Sequence, residues 1–103
     1  FVFMHSDGFI PSIIPDLIEI GVDALNIQLL LMDYRKLAAL VSGKITLWGQ
    51  PVLGLNRTTS LRRSVQRMHE YFYRAEGGLI IRADFDVDIT PQMVETVLDE
   101  WQG

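Results

Sequence analysis

Four times in succession a short apolar run is followed by a turn and then by a stretch whose apolar residues recur with helical spacing. No hairpin signal joins one apolar run to the next. This alternation constrains the fold more than any other feature. Strands joined through helices come out parallel, with right-handed crossovers. The sequence therefore predicts an α/β chain of four βα units with a parallel sheet. Such a sheet can stand alone as a small open sandwich, or it can be half of a (β/α)8 barrel, whose full form runs to about 250 residues. The 103 residues suffice for a single domain with a small core.

The first strand is read at about Phe1–Met4, and a turn through Gly8 leads to a helix around Ser12–Ile20. Ile13, Ile14, Leu17 and Ile18 share one face of it, Pro15 restricts its regular part to a start just before that residue, and Gly21 supplies the stop. The second strand is Ala24–Ile27. Leu29–Met32 reads as a buried loop or a helical lead-in, and Asp33 caps a helix over Tyr34–Val41. The third strand is Ile45–Trp48, followed by a long loop to about Thr59. Ser60 or Thr59 caps the next helix, which runs to about Ala75 and turns Leu61, Val65, Met68 and Phe72 inward. Gly77 and Gly78 precede the fourth strand, Leu79–Arg82, and an acidic run of Asp84, Asp86 and Asp88. Thr90 then caps a helix with Pro91 in its first position and a stripe of Val94, Val97, Leu98 and Trp101.

Composition excludes several classes. A net charge of −4 argues against a general nucleic-acid binder. The absence of Cys removes disulfides, thiolate metal sites and a Cys nucleophile, and fits a reducing cytoplasm. No apolar run reaches the roughly 18–20 residues of a membrane span, and the four apolar residues before His5 do not make a signal peptide. The chain opens at Phe1, inside a strand and without Met, so it reads either as a natural short protein or as a fragment.

The chemistry gathers where the strands end. In α/β sheets ligands meet the carboxyl ends of the strands. The run Phe1–Met4 passes directly into His5-Ser6-Asp7-Gly8, so His5 and Asp7 are the first candidates. Asn26 and Gln28 end the second strand and Gln50 follows the third; each can hydrogen-bond a substrate or satisfy a loop backbone. Arg82 can hold a carboxylate or neutralise Asp84 and Asp86. Trp48 packs in the core or at the rim, or stacks on a flat ligand. One His with carboxylates can bind zinc, manganese or iron, or the polar groups can pair locally. The acidic run lacks the Gly and Glu of an EF-hand loop. Arg57, Arg62, Arg63, Arg67 and Arg74 read as a solvated helix face rather than a phosphate site, and His69 as structural or solvated. Ser6 has no base but His5 next to it and is not read as a nucleophile.

The stretch HSDGFIPSIIPDLIEIGVDALNIQ resembles the uroporphyrinogen decarboxylase superfamily, which holds the decarboxylase of haem biosynthesis and zinc-dependent methyltransferases. Met32-Asp33, ITLWGQ, Gly77-Gly78-Leu79-Ile80-Ile81 and Thr90-Pro91 extend the resemblance over nearly the whole chain. It implies the C-terminal half of a TIM-type barrel, without the half that handles substrate carboxylates in the decarboxylases. In the methyltransferases a His-x-Cys pair and a second Cys bind zinc. Here His5 matches the His, Asp7 stands in place of the first Cys, and a gapless count back from Thr90 puts Asp84 in place of the second. The same count puts Asp84 where decarboxylases carry a His.

The resemblance thus implies His5, Asp7 and Asp84 as catalytic groups and as ligands for zinc or another divalent metal, with Asn26, Gln28, Gln50 and Arg82 on the substrate. The implied chemistry is tetrapyrrole decarboxylation, or methyl transfer involving a corrinoid or thiol. The alternative is a non-catalytic half-barrel that self-associates without enzyme activity. Two open sheet edges and an apolar inner face predict a homodimer or another self-association.

Overall fold

The computed structural model describes residues 1–8, 10–29, 32–51, 57–74, 77–82 and 90–102, with the side chains of 57–60 left aside. It is an α/β structure in which β1 (Phe3–Ser6), β2 (Ala24–Ile27), β3 (Thr46–Gly49) and β4 (Leu79–Ile81) form one parallel sheet in the order β1-β2-β3-β4. Between and after them come a 3₁₀ turn (Pro11–Ile13) leading into α1 (Ile14–Glu19), then α2 (Tyr34–Val41), α3 (Arg57–Phe72) and α4 (Pro91–Gln102). The sheet does not close: β1 and β4 are its two ends. Among the described residues no helix is long and apolar enough to cross a membrane.

Sequential order in a parallel sheet has a geometric consequence. Each right-handed crossover moves one strand further in the same direction and so delivers its helix to the same face. The ladder row Met4–Leu25–Leu47–Leu79 faces that side. It packs with Ile14 and Leu17 of α1, Leu37 and Val41 of α2, and Met68 and Phe72 of α3. Leu25 and Leu47 are wholly buried, and each such side chain contributes about 1.5–3 kcal/mol over its exposed state. A second cluster, Leu61 and Val65 with Met93 and Val97, joins α4 to α3, and Ile81 and Trp101 pack on both clusters.

Local chemistry sets most of the helix ends. Asp33 accepts from the Lys36 N–H at 3.0 Å and caps α2. Thr90 Oγ1 accepts from the Met93 N–H at 3.3 Å ahead of Pro91. Gly21, at φ +96°, closes α1 through Val22 N–H to the Leu17 carbonyl.

The structure differs from the sequence expectation in six places. The first helix is split into the 3₁₀ turn and α1, leaving Ile13 exposed, and β4 stops at Ile81 rather than Arg82. β1 is Phe3–Ser6 rather than Phe1–Met4, because His5 finds a partner on β2 and pairs within the ladder instead of ending it. β3 is displaced by one residue. Thr59 and Ser60 lie inside α3, which begins at Arg57 and ends at Phe72, so neither caps it; Ala75 lies outside the described residues. On α4 the buried positions are Met93, Thr96 and Val97, while Leu98 is exposed, because this helix packs on α3. Of the stretch Leu29–Met32, Leu29 and Met32 are buried and joined by a backbone hydrogen bond, and residues 30 and 31 lie outside the described set.

Leu29 seats directly on the end of β3. A Cβ at Gly49 would stand 2.6 Å from Leu29 Cδ1 and 3.2 Å from its Cγ. Gly49→Ala is therefore expected to cost about 1–3 kcal/mol in urea unfolding. Adding Leu29→Ala should make the double variant less destabilised than the two single losses combined; simple additivity would mean that the two residues do not press on each other.

Tyr34 is the buried titratable group of the core. It lies against Tyr71 and Phe72, with the Arg67 guanidinium 5.1 Å above its ring. Burial pushes its pKa up from 10.0, and Arg67 pulls weakly the other way. The folded state thus holds the phenol proton more tightly than the unfolded chain does. Its contribution is intact below pH 10.0 and is lost as pH rises through the folded-state value. Stability above about pH 10 should fall more steeply in the wild type than in Tyr34→Phe; equal slopes in alkaline unfolding curves would exclude Tyr34 as the source.

Candidate functional site

Strand side chains alternate, so the face opposite the helices carries the other half of each strand. Its rows are Phe3–Ala24–Thr46 and His5–Asn26–Trp48–Ile80. Two residues further on in each chain segment come Asp7, Gln28, Gln50 and Arg82. His5, Asn26 and Trp48 thus share one face, Asp7 reaches His5 and Arg82 reaches Trp48 there, and Gln28 and Gln50 follow just beyond their strands. Asp84, with Asp86 and Asp88, lies outside the described residues.

Asn26 is the centre of this face. It is only 6% exposed, and Ala24 two residues before it is equally shielded. A buried amide must place both ends. Asn26 Nδ2 donates to the Trp48 carbonyl, which fixes the amide orientation and turns Oδ1 toward His5. His5 Nδ1 lies 2.5 Å from that oxygen. An amide oxygen only accepts, so Nδ1 carries a proton. Nε2 is then the nitrogen that can take up or give a proton, and it faces Asp7 Oδ1 at 3.0 Å. One ring nitrogen tied to a fixed acceptor and the other left to work is how catalytic histidines are oriented.

The His5–Asp7 pair is open to water, with side chains 59% and 75% exposed. At that exposure it contributes at most about 1 kcal/mol to stability. A ligand that displaces the Asp7 carboxylate from Nε2 therefore gives up little.

The remaining candidates divide. Gln28 takes the loop role: its Oε1 accepts from the Gly8 N–H at 2.7 Å and ties down the turn after β1. Gln50 is half-buried beyond β3. Trp48 stands at the rim, half-buried, with Phe3 edge-on at 6.0 Å and the Arg82 guanidinium 5.9 Å from its ring centre. Ser6 lies in the alternate position, on the helix side, and its hydroxyl donates to the Asp7 carbonyl. On the helices, Arg62 pairs with Glu100, Arg67 covers Tyr34 and Tyr71, and His69 stacks on Tyr73. A cleft of about 210 Å³ sits at the amino ends of the strands, lined by Asp23, Lys44 and Arg74 among others. It is the opposite end of the sheet from His5, and Asp23 there is engaged with the Val2 N–H.

Among the described residues no group of three or more His, Cys, Asp or Glu could hold a metal ion. His5 and Asp7 make two donors, short of the three protein ligands of a catalytic zinc. The third member of the set implied by the resemblance, Asp84, lies outside the described residues.

The sequence names His5, Asp7 and Asn26 as candidates but does not show that Asn26 bridges His5 and the Trp48 backbone. It also missed Phe3 and Ile80 as members of this face. The parity of residues 3 and 5, or 80 and 82, is the signal that groups them.

Asn26→Leu would leave the Trp48 carbonyl and His5 Nδ1 without their partner. The expected cost is about 1–3 kcal/mol in chemical unfolding, together with loss of the hydrogen-bonded Nδ1–H signal of His5 in nitrogen NMR. An unchanged Nδ1–H signal would show that Asn26 does not hold it.

No protein-family model matches the chain, and no curated protein and no solved structure matches it.

Proposed function

We propose that the helix-free face is a ligand-binding surface for a flat, carboxylate-bearing molecule of the tetrapyrrole class, in keeping with the resemblance to the uroporphyrinogen decarboxylase superfamily. The observation that carries the reading is the oriented imidazole. Asn26 fixes Nδ1, and Nε2 is held at the open face by an exposed carboxylate that a ligand can replace. Trp48 offers a partly exposed ring at the rim, and Arg82 beside it brings a guanidinium suited to a carboxylate. Gln28 holds the first loop in place.

Where binding leads to decarboxylation, the carbon–carboxylate bond breaks, carbon dioxide leaves, and the electron pair left on carbon takes the proton from Nε2. His5 is then the general acid and Asp7 the group that yields its place to the substrate. Methyl transfer from a corrinoid or thiol is the weaker version of the same ancestry, since the described residues bring no soft metal ligand to the face.

A specific observation favours a second reading, binding without turnover. His5 and Asp7 are largely solvated in the single chain, and acid–base chemistry on a reactive intermediate requires water to be excluded.

Titration with uroporphyrin, followed by tryptophan fluorescence, tests the proposal. Saturable quenching is expected in the Trp101→Phe variant, which keeps Trp48, and His5→Gln should weaken binding by about tenfold or more. Quenching that survives in Trp48→Phe and ignores His5→Gln would place any binding elsewhere. Release of carbon dioxide from uroporphyrinogen then separates the enzyme from the non-catalytic reading.

A further inference from the structure

The arginines of α3 do not share one face. Arg62 turns toward α4, where it pairs with Glu100 at 3.3 Å, and Gln66 on the same flank donates to that carboxylate at 2.7 Å. Arg67 turns the other way, toward α2. Its guanidinium lies 5.1 Å from the ring centre of Tyr34 and 5.9 Å from that of Tyr71. Arg63, exposed and four residues earlier, lies one helical turn away on the same flank. Arg35 and Lys36, both exposed, follow Tyr34 in the first turn of α2.

What holds Arg67 also leaves it uncommitted. The Tyr34 and Tyr71 rings meet edge to face, 5.9 Å apart, and restrain a side chain that is otherwise rich in rotamers. Stacking uses the flat face of a guanidinium and leaves its N–H groups at the rim. Among the described residues no oxygen accepts from the Arg67 or Arg63 side chain, and Glu70, three residues beyond Arg67 and exposed, pairs with neither. A restrained guanidinium with unmatched donors suits a planar oxyanion, which it grips through two parallel bonds. A second guanidinium one turn away, about 5–6 Å between Cβ atoms, suits a second oxyanion at the same interval. Carboxylates at alternate positions of an extended peptide have that interval, roughly 6.5 Å.

The charge of the chain selects among anionic partners. At −4 overall it is repelled by the dense phosphate of nucleic acid and by an anionic bilayer. Among the described residues no large apolar side chain stands exposed on α2 or on this flank of α3 to enter lipid; Tyr73, exposed on α3, packs toward Trp101 of α4. A short acidic segment meets only the local field, which is basic.

We propose that the α2–α3 flank is a docking surface for an acidic peptide segment of a partner protein. Arg67 is the anchor, Arg63 takes a second carboxylate, and Arg35 and Lys36 add positive field. The surface lies on the helix side of the sheet and is independent of the ligand-binding reading of His5.

Titration with a hexaglutamate peptide at low ionic strength, followed through the arginine Nε–H signals in nitrogen NMR, tests the proposal. The Arg67 and Arg63 signals are expected to shift saturably while that of Arg62 stays. Arg67→Gln, Arg67→Lys and Arg63→Gln should each weaken binding by about two- to fivefold, and Arg62→Gln should leave it unchanged. Arg67→Lys belongs with the losses because lysine keeps the charge but has no planar fork. Arg63→Gln alters an exposed side chain and carries the test should circular dichroism show that the Arg67 variants lose the fold. Absence of any shift, full binding in Arg67→Lys, or equal loss in Arg62→Gln would each overturn the proposal. Tighter binding of a thymidine hexanucleotide or of phosphatidylserine vesicles through the same arginines would overturn it too, by assigning the surface to phosphate.

Discussion

The fold depends on one asymmetry, the burial of a single face of the sheet. Each crossover advances in the same direction, so the row Met4–Leu25–Leu47–Leu79 is covered by α1, α2 and α3, while among the described residues the alternate row lies on the other side of the sheet from them. Parallel sheets covered on both faces read as continuous apolar runs. Here β2 reads Ala-Leu-Asn-Ile and is followed by Gln, with Leu25 and Ile27 under the helices and Asn26 turned the other way. Polar residues enter these strands because half of each strand has no hydrophobic layer to fill. The same bareness makes the second face available for chemistry, so the packing rule and the site location are one fact.

Asn26 shows how a polar residue settles on that face. A buried amide without partners would cost several kilocalories per mole. Its two ends instead bridge strands, donating to the Trp48 backbone on β3 and accepting from His5 on β1. The bridge stiffens three strands across the sheet and gives His5 a defined tautomer. Polarity also rises along the face. Phe3, Ala24 and Thr46 lie toward the amino ends, His5, Asn26 and Trp48 in the middle, and Asp7, Gln28, Gln50 and Arg82 at the carboxyl ends. An apolar floor under a polar rim is the composition expected of a small-molecule site.

The architecture was legible because it rests on local signals. The four-fold alternation fixes the parallel sheet, and Asp33, Gly21 and Thr90-Pro91 mark ends that the structure keeps. β2 and α2 fall where periodicity puts them. The misreadings share a cause: each involves a residue whose state is decided by something distant in sequence. His5 looks like the end of a strand because it is polar, yet its partner 21 residues away keeps it in the ladder. The buried side of α4 is rotated because α3 determines which positions face inward, and Val94 and Leu98 give way to Met93 and Thr96. The bridge made by Asn26 was not legible, since propensity and spacing carry no information on which two strands flank a side chain. Of the metal set, the structure describes His5 and Asp7, and Asp84 falls outside the described residues.

The placement of His5 ties the site to the sheet's unfinished edges. Its orienting partner is on the inner strand β2, so its geometry is set within one chain. Its exposure is set on the other side, where among the described residues β1 has no neighbour. Orientation and desolvation are separate requirements for acid–base chemistry. In this fold the first is met by Asn26, while the second depends on whatever covers the β1 edge. The cover also need not carry a catalytic group of its own: excluding water from Nε2 and Asp7 strengthens their interaction with a bound carboxylate, because the same charges act in a lower effective dielectric.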